Sequence, residues 1–208
     1  MDLINELNDL SEDELLDIET YFDEMELSYE EKEKRKEFAE SMNEIMLFIF
    51  VLFSIMKQYN RINKEFIVSQ LRSRYSETVL KFADIDSYID DYIKKFTKEI
   101  VDTTLKYPGE EYYLSNDRAL IASVNEANSI LGYRQLQEAR RKGYTKKMWI
   151  TEKDKRVRKT HKEVDGETVP LDRYFLVGNS LMMYPHDNIT MDVEAKEIIN
   201  CRCSVKYF

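Results

Sequence analysis

The residues best suited to specialised chemistry lie together in the last quarter of the chain. Both cysteines occur in one string, Asn200-Cys201-Arg202-Cys203, and both histidines, His161 and His186, lie shortly upstream. Cysteines at i and i+2 on a strand place both sulfurs on one face, where they can grip a single ion. So close a pair is poorly placed to bridge itself, and a reducing cytoplasm keeps both as thiols. Zn²⁺ takes four nitrogen or sulfur ligands in a tetrahedron, so His161 and His186 would complete a Cys₂His₂ set. Asp165 or Asp187 can substitute for a histidine, and the spacing is not that of a zinc finger. The bland alternative is a pair of buried thiols with surface histidines.

The elements that position these residues follow from composition and periodicity. A chain of 208 residues can bury one full core, or one core with a small satellite domain. With 43% hydrophobic and 34% charged residues it is globular rather than disordered. Five glycines and three prolines suit long helices with short connections. Met1-Asp2-Leu3 does not open a basic region followed by an apolar one, so no secretory signal is expected. The apolar run Ile45–Met56 falls short of the roughly twenty residues of a bilayer span, so it is expected to be a core helix buried on all sides.

Charge is unevenly spread. Residues 1–40 hold 16 acidic and 4 basic side chains, net -12, within a chain of net -9. From Arg134 to Lys162 the balance reverses to 12 basic and 3 acidic. The acidic end reads first as a solvated helix face, with docking on a basic partner or DNA mimicry as the functional alternative. The basic stretch is a candidate nucleic-acid or partner patch formed by Arg140, Arg141, Lys142, Lys146, Lys147, Arg156, Arg158 and Lys159.

Apolar residues at three- and four-residue steps predict helix through most of the first 142 residues. Leu3, Leu7, Leu10, Leu15, Ile18 and Phe22 form the first stripe, with a capping-box break at Ser11 and Glu14. Ser28 opens the next helix. Phe66, Ile67, Leu71, Tyr75, Val79 and Leu80 mark a third over Glu65 to Phe82, and the apolar steps from Ile89 to Leu105 a fourth over Asp86 to Tyr107, ended by Pro108-Gly109. Ser115 to Asp117 caps a helix running to about Lys142, closed by Gly143. Beyond it the pattern shortens. Met148-Trp149-Ile150, Tyr174–Val177, Leu181–Tyr184 and Cys201–Phe208 read as strands, and Val164 to Glu167 as a turn. The expected class is α+β: a mainly helical region of residues 1–115, then a domain of residues 116–208. That domain comprises helix 116–142 and a small, metal-stapled α+β part, 143–208.

The order Trp149-x₄-Asp154-x₃-Arg158-x₂-His161-x₃-Asp165-Gly166, Phe175, Pro185-x-Asp187, Glu197-x₂-Asn200-Cys201-Arg202-Cys203 resembles the C-terminal domain of the phage minor head (head morphogenesis) protein family. The resemblance covers roughly residues 120–208 and none of residues 1–115. Two positions depart from the family pattern. Val124-Asn125-Glu126 keeps only the acid of a frequent Arg-Thr-Glu string, and His186 stands where a glycine is frequent. Within the motif, Trp149 is expected to anchor the small core, Asp154 to pair with Arg158 on one helical turn, and Arg202 to pair with Glu197 or satisfy carbonyls.

The resemblance implies a structural minor capsid protein of a tailed phage or prophage, acting in head assembly at or near the portal. Portal or other capsid proteins would be its partners, with contacts to packaged double-stranded DNA through the basic stretch. Its place would be the virion, in the capsid interior or at the portal vertex, after assembly in the host cytoplasm. No membrane partner is expected. A metal-dependent enzyme, a nuclease or toxin-like effector using His161, Asp165, Cys201 and Cys203, is the competing reading. No Gly-rich phosphate loop, nucleophile elbow or H-E-x-x-H favours it.

Overall fold

A computed structural model describes residues 17–208, so the Leu3–Leu15 stripe and the Ser11 capping box lie outside the described residues. Among the described residues, five helices precede the C-terminal part. α1 (Ile18–Asp23) is capped by Asp17, whose carboxylate accepts from the Thr20 amide at 2.9 Å. α2 (Tyr29–Gln58) starts at the Ser28 cap, α3 (Lys64–Phe82) at Asn63 and α4 (Ser87–Lys106) at Asp86. After a short 3₁₀ turn, Glu111–Leu114, Ser115 caps α5 (Asn116–Arg141). Each cap side chain accepts from an amide that has no partner inside the helix.

α2 buries Phe38, Ala39, Met42, Met46, Ile49, Phe50 and Phe53, a stripe at three- and four-residue steps, against α5 and α3. Each Phe, Met or Ile side chain among them taken out of water stabilises the fold by about 1.5–3 kcal/mol. The expectation of a helix enclosed on every side fails here, because Phe48, Val51 and Ile55 of the same run are exposed. By length and composition α2 would also suffice to cross a membrane.

The enclosed helix is α5, where every residue from Glu126 to Tyr133 is buried, although several are polar or small. It can be central because its polar groups are satisfied. Asn128 accepts from Arg35 Nε at 3.1 Å and donates to the Tyr21 hydroxyl at 3.2 Å. The Ser129 hydroxyl donates to the His186 carbonyl at 2.9 Å. Glu126 accepts from the Tyr92 hydroxyl at 2.6 Å and from the Tyr75 hydroxyl, tying α5 to α4 and α3. Gly132 is needed for a close approach: a Cβ there would come within 2.6 Å of the Tyr184 ring. The C-terminal part is thus seated directly on the central helix.

After Gly143, which takes φ 72°, the chain forms β1 (Lys146–Ile150). β1 is the middle of an antiparallel sheet in the order β2-β1-β5, with β2 at Thr168–Pro170 and β5 at Ser204–Tyr207. In register, Trp149 faces Val205 and Ile150 faces Ser204. A separate hairpin pairs β3 (Phe175–Val177) with β4 (Ser180–Met182), and the short helices α6 (Lys159–Glu163) and α7 (Ala195–Ile198) flank the loops. Trp149 is fully buried at the centre of a second, small core with Val164, Phe175, Val177, Met182, Ile198 and both cysteines.

Candidate metal centre

Three chain segments converge beside Trp149. α6 presents His161, α7 presents Glu197, and the turn before β5 presents Cys201 and Cys203. The cysteines precede the strand instead of lying on it, which corrects the expectation of a strand beginning at Cys201. Asn200 takes φ 54°, and this left-handed residue bends the chain so that both sulfurs turn inward. The Cys203 amide then reaches Cys201 Sγ at 3.4 Å.

His161 Nδ1 lies 3.3 Å from Cys203 Sγ and 3.5 Å from Cys201 Sγ. These three ligand atoms lie within 4.8 Å of one another, and all three residues are buried. The other ring nitrogen, Nε2, lies 3.1 Å from Glu197 Oε2, which also accepts from the Thr160 hydroxyl at 2.8 Å. A metal-bound histidine ordinarily gives its second N–H to a carboxylate, which fixes the tautomer and turns the bare nitrogen to the ion. The donor set and its supporting carboxylate therefore fit a metal. A possible His/Cys/Cys metal site is present.

Without an ion, electrostatics favour the ligating form at Cys201 alone. Burial works against ionising Cys201, but hydrogen bonding from Cys203 and the proximity of both histidines outweigh it, holding its thiol well below the ordinary range. Cys203 is pushed up, first by its hydrogen bond to Cys201 and then by burial. Burial disfavours a charged His161, yet the hydrogen bond and negative charge of Cys201 prevail and raise its pKa. The pocket thus favours one thiolate, one thiol and one proton-sharing imidazole.

The remaining predicted ligands lie elsewhere. His186 acts on Cys201 from the other side, with Nε2 at 2.6 Å from the Cys201 carbonyl, and is outside the three-residue group. Its backbone is left-handed, φ 64°, a conformation that suits the glycine frequent at this family position. Asp165 accepts from the Thr151 amide at 2.9 Å and closes the turn below Trp149. Asp187 is spent on the Met183 amide at 2.8 Å and the Thr190 amide at 2.9 Å. The expected Asp154–Arg158 and Arg202–Glu197 pairs do not form. Arg202 instead holds Asp154 at 2.7 Å and Glu24 at 3.1 Å, while Arg158 donates to the Ile199 carbonyl. The carboxylate of Glu197 is needed at His161, which explains why Arg202 finds partners elsewhere.

The predicted basic patch is smaller than its sequence. Lys147 is fully buried, with Nζ 3.5 Å from Met183 Sδ and 5.3 Å above the Phe175 ring. Burial pulls its pKa down to about 8. β1 alternates faces, so Lys146 points out and Lys147 in. Arg156 pairs with Glu24 at 2.9 Å and with Asp154 at 3.3 Å. Arg140, Arg141, Lys142 and Lys146 are exposed together where α5 ends and β1 begins, and Lys159 is exposed on α6.

Two contributors carry no clear signal in the residue types around them. Tyr21 reaches the Cys201 carbonyl from 180 positions away, and Glu197 was legible as a motif residue but not as the partner of His161.

Comparison with known proteins adds the family. The chain is 32% identical over 103 residues to the NAD(+)–arginine ADP-ribosyltransferase EFV of Enterococcus faecalis, covering 48% of this chain and 20% of that protein. The chain thus spans about a fifth of the length of that relative. No solved structure matches. The family model for phage Mu protein F-like proteins matches residues 89–206. That match begins well before residue 120 and so takes in α4, whose Tyr92 is bound to Glu126. With more than half of its length matched, this chain belongs to the phage Mu protein F-like, head morphogenesis family.

Proposed function

We propose that this protein is a minor structural component of a tailed-phage or prophage head that acts during assembly at or near the portal. Family membership over residues 89–206 is the observation that carries this reading. Portal or other capsid proteins are its partners, and its place is the virion, reached after assembly in the host cytoplasm. The C-terminal part is stapled by Zn²⁺ on His161, Cys201 and Cys203. Thiolate and imidazole ligands suit Zn²⁺, and a structural zinc is commonly closed by a fourth protein ligand. His186 is the proposed fourth: its Nε2 stays on the Cys201 carbonyl, and its Nδ1 is buried without a hydrogen-bond partner. The ion supplies cross-linking between α6 and the terminal turn; the chain supplies the ligands, the Glu197 brace and a dry Trp149 floor.

An enzyme using the same cluster finds less support, since Asp165 is engaged with the Thr151 amide. The segment shared with the ADP-ribosyltransferase is a small fraction of that protein. The test is mass spectrometry of gradient-purified heads from the phage or induced prophage, with and without a deletion of this chain. The protein is expected in wild-type heads, and the deletion is expected to lower the yield of filled heads at least tenfold. Absence from particles together with normal head yield would overturn the proposal.

The exposed cluster Arg140, Arg141, Lys142 and Lys146 supports contact with packaged duplex DNA. Neutralising about four phosphates predicts that log K falls with log salt at a slope of roughly −3 to −4. Fluorescence anisotropy on a duplex should show that slope, and R140E/R141E/K142E should remove it. Retention that salt leaves unchanged would eliminate DNA as the ligand.

A further inference from the structure

The tripeptide Cys201-Arg202-Cys203 has two faces, one carrying the sulfurs and one carrying the Cys201 carbonyl and the Arg202 guanidinium. The second face holds residues 21–26. The Tyr21 hydroxyl donates to the Cys201 carbonyl, lies 3.4 Å from His186 Nε2 and accepts from Asn128 Nδ2 at 3.2 Å. Arg202 and Arg156 both clamp Glu24, at 3.1 and 2.9 Å. Two residues further, the Glu26 amide donates to Glu152 Oε1 at 2.7 Å. Tyr21, Phe22 and Met25 are buried in this position.

We propose that metal loading of the Cys201–Cys203 turn governs the docking of residues 17–27 as a strap across the C-terminal part. This inference rests on the metal reading of the same site. Two of the strap's anchors, the Cys201 carbonyl and the Arg202 guanidinium, belong to the segment that carries both sulfurs, while Arg156, Glu152 and Lys36 hold it from elsewhere. An ion that fixes the sulfurs therefore also fixes the Cys201 carbonyl and the Arg202 guanidinium in the places the strap requires. Losing the ion frees a turn that is held by a strained residue, Asn200, at its entrance. The carbonyl and guanidinium then no longer converge on Tyr21 and Glu24. Coupling of two sites through one rigid element is reciprocal, so lifting the strap weakens metal affinity by the factor by which metal favours the strap.

Hydrogen exchange read by mass spectrometry on the full chain tests this, with Zn²⁺ added or stripped by chelator and metal content measured in each sample. The loaded protein is expected to protect the amides of residues 21–27 on the order of tenfold more than the stripped protein, while α3 and α5 keep their protection. Tyr21→Phe is expected to lose the strap protection with metal still bound at full stoichiometry, and to bind it more weakly. Stoichiometric metal with unchanged exchange at 21–27 would overturn the coupling and leave the metal site standing. Loss of protection in α3 and α5 together with the strap would also overturn it, because that is global unfolding rather than undocking. A protein that takes up no metal sinks both readings.

Discussion

A Cys201→Ser/Cys203→Ser protein is expected to carry no stoichiometric metal and to lose most of the stability of its C-terminal part. The wild-type sulfurs and His161 Nδ1 lie within 4.8 Å of one another in a buried pocket. An ion bound only by the folded chain stabilises it by about 3–4 kcal/mol when free metal exceeds the dissociation constant by two to three orders of magnitude. The small core around Trp149 has few other large side chains, so the loss concentrates there. Serine keeps the shape and the buried position but replaces a thiolate ligand by a poor one. Chelator should lower the wild-type melting temperature and leave the double variant unmoved. Equal chelator responses, or wild-type protein purified without metal, would reduce the cluster to packing. Glu197→Gln is the milder companion: it removes the negative charge at His161 Nε2 and should weaken metal binding about 10- to 100-fold.

Stability should also fall as pH rises from about 5 to 8, through one buried carboxyl. Burial, its largest cause, raises the pKa of Glu126 from 4.5 to about 7, against the hydrogen bonds of Tyr75 and Tyr92. The folded chain therefore binds this proton more tightly than the unfolded chain does. The stabilising contribution is complete below about pH 4.5 and is lost as pH passes the folded value near 7. That difference in proton affinity corresponds to about 3 kcal/mol, at roughly 1.36 kcal/mol for each factor of ten. Glu126→Gln keeps the shape and cannot ionise. Urea unfolding of both proteins from pH 5 to 8 should show their stability difference changing by about 3 kcal/mol, with the Glu126→Gln protein gaining at high pH. Parallel curves would show that Glu126 does not titrate in this window.

Much of the architecture was legible because helices advertise themselves locally. α3 and α4 follow apolar steps, and α5 its Ser115 cap, that any isolated stretch displays. The same signals misplaced the centre of the molecule. An apolar run says only that a helix can be buried, while enclosure depends on what packs around it. α5 is enclosed because Arg35, Tyr21, Tyr75 and Tyr92 satisfy its polar groups from four other helices. No window of sequence contains those partners.

The site divides along the same line. Residue type and order alone singled out His161, His186, Cys201 and Cys203 as the chemically capable set, because cysteine and histidine are scarce here and metals select them, and the structure brought three of the four together. Type and order also determined the family. Tertiary structure decided that His161 serves both sulfurs and that Glu197 braces it. It also seats His186 on the Cys201 carbonyl, turns Lys147 into the core and lays Tyr21 across the outside of the cysteine turn. Ligand identity is a property of single side chains, whereas partner choice is settled by distances between residues tens to hundreds of positions apart. Those distances exist only once β1, α6 and the turn at Asn200 have packed around Trp149.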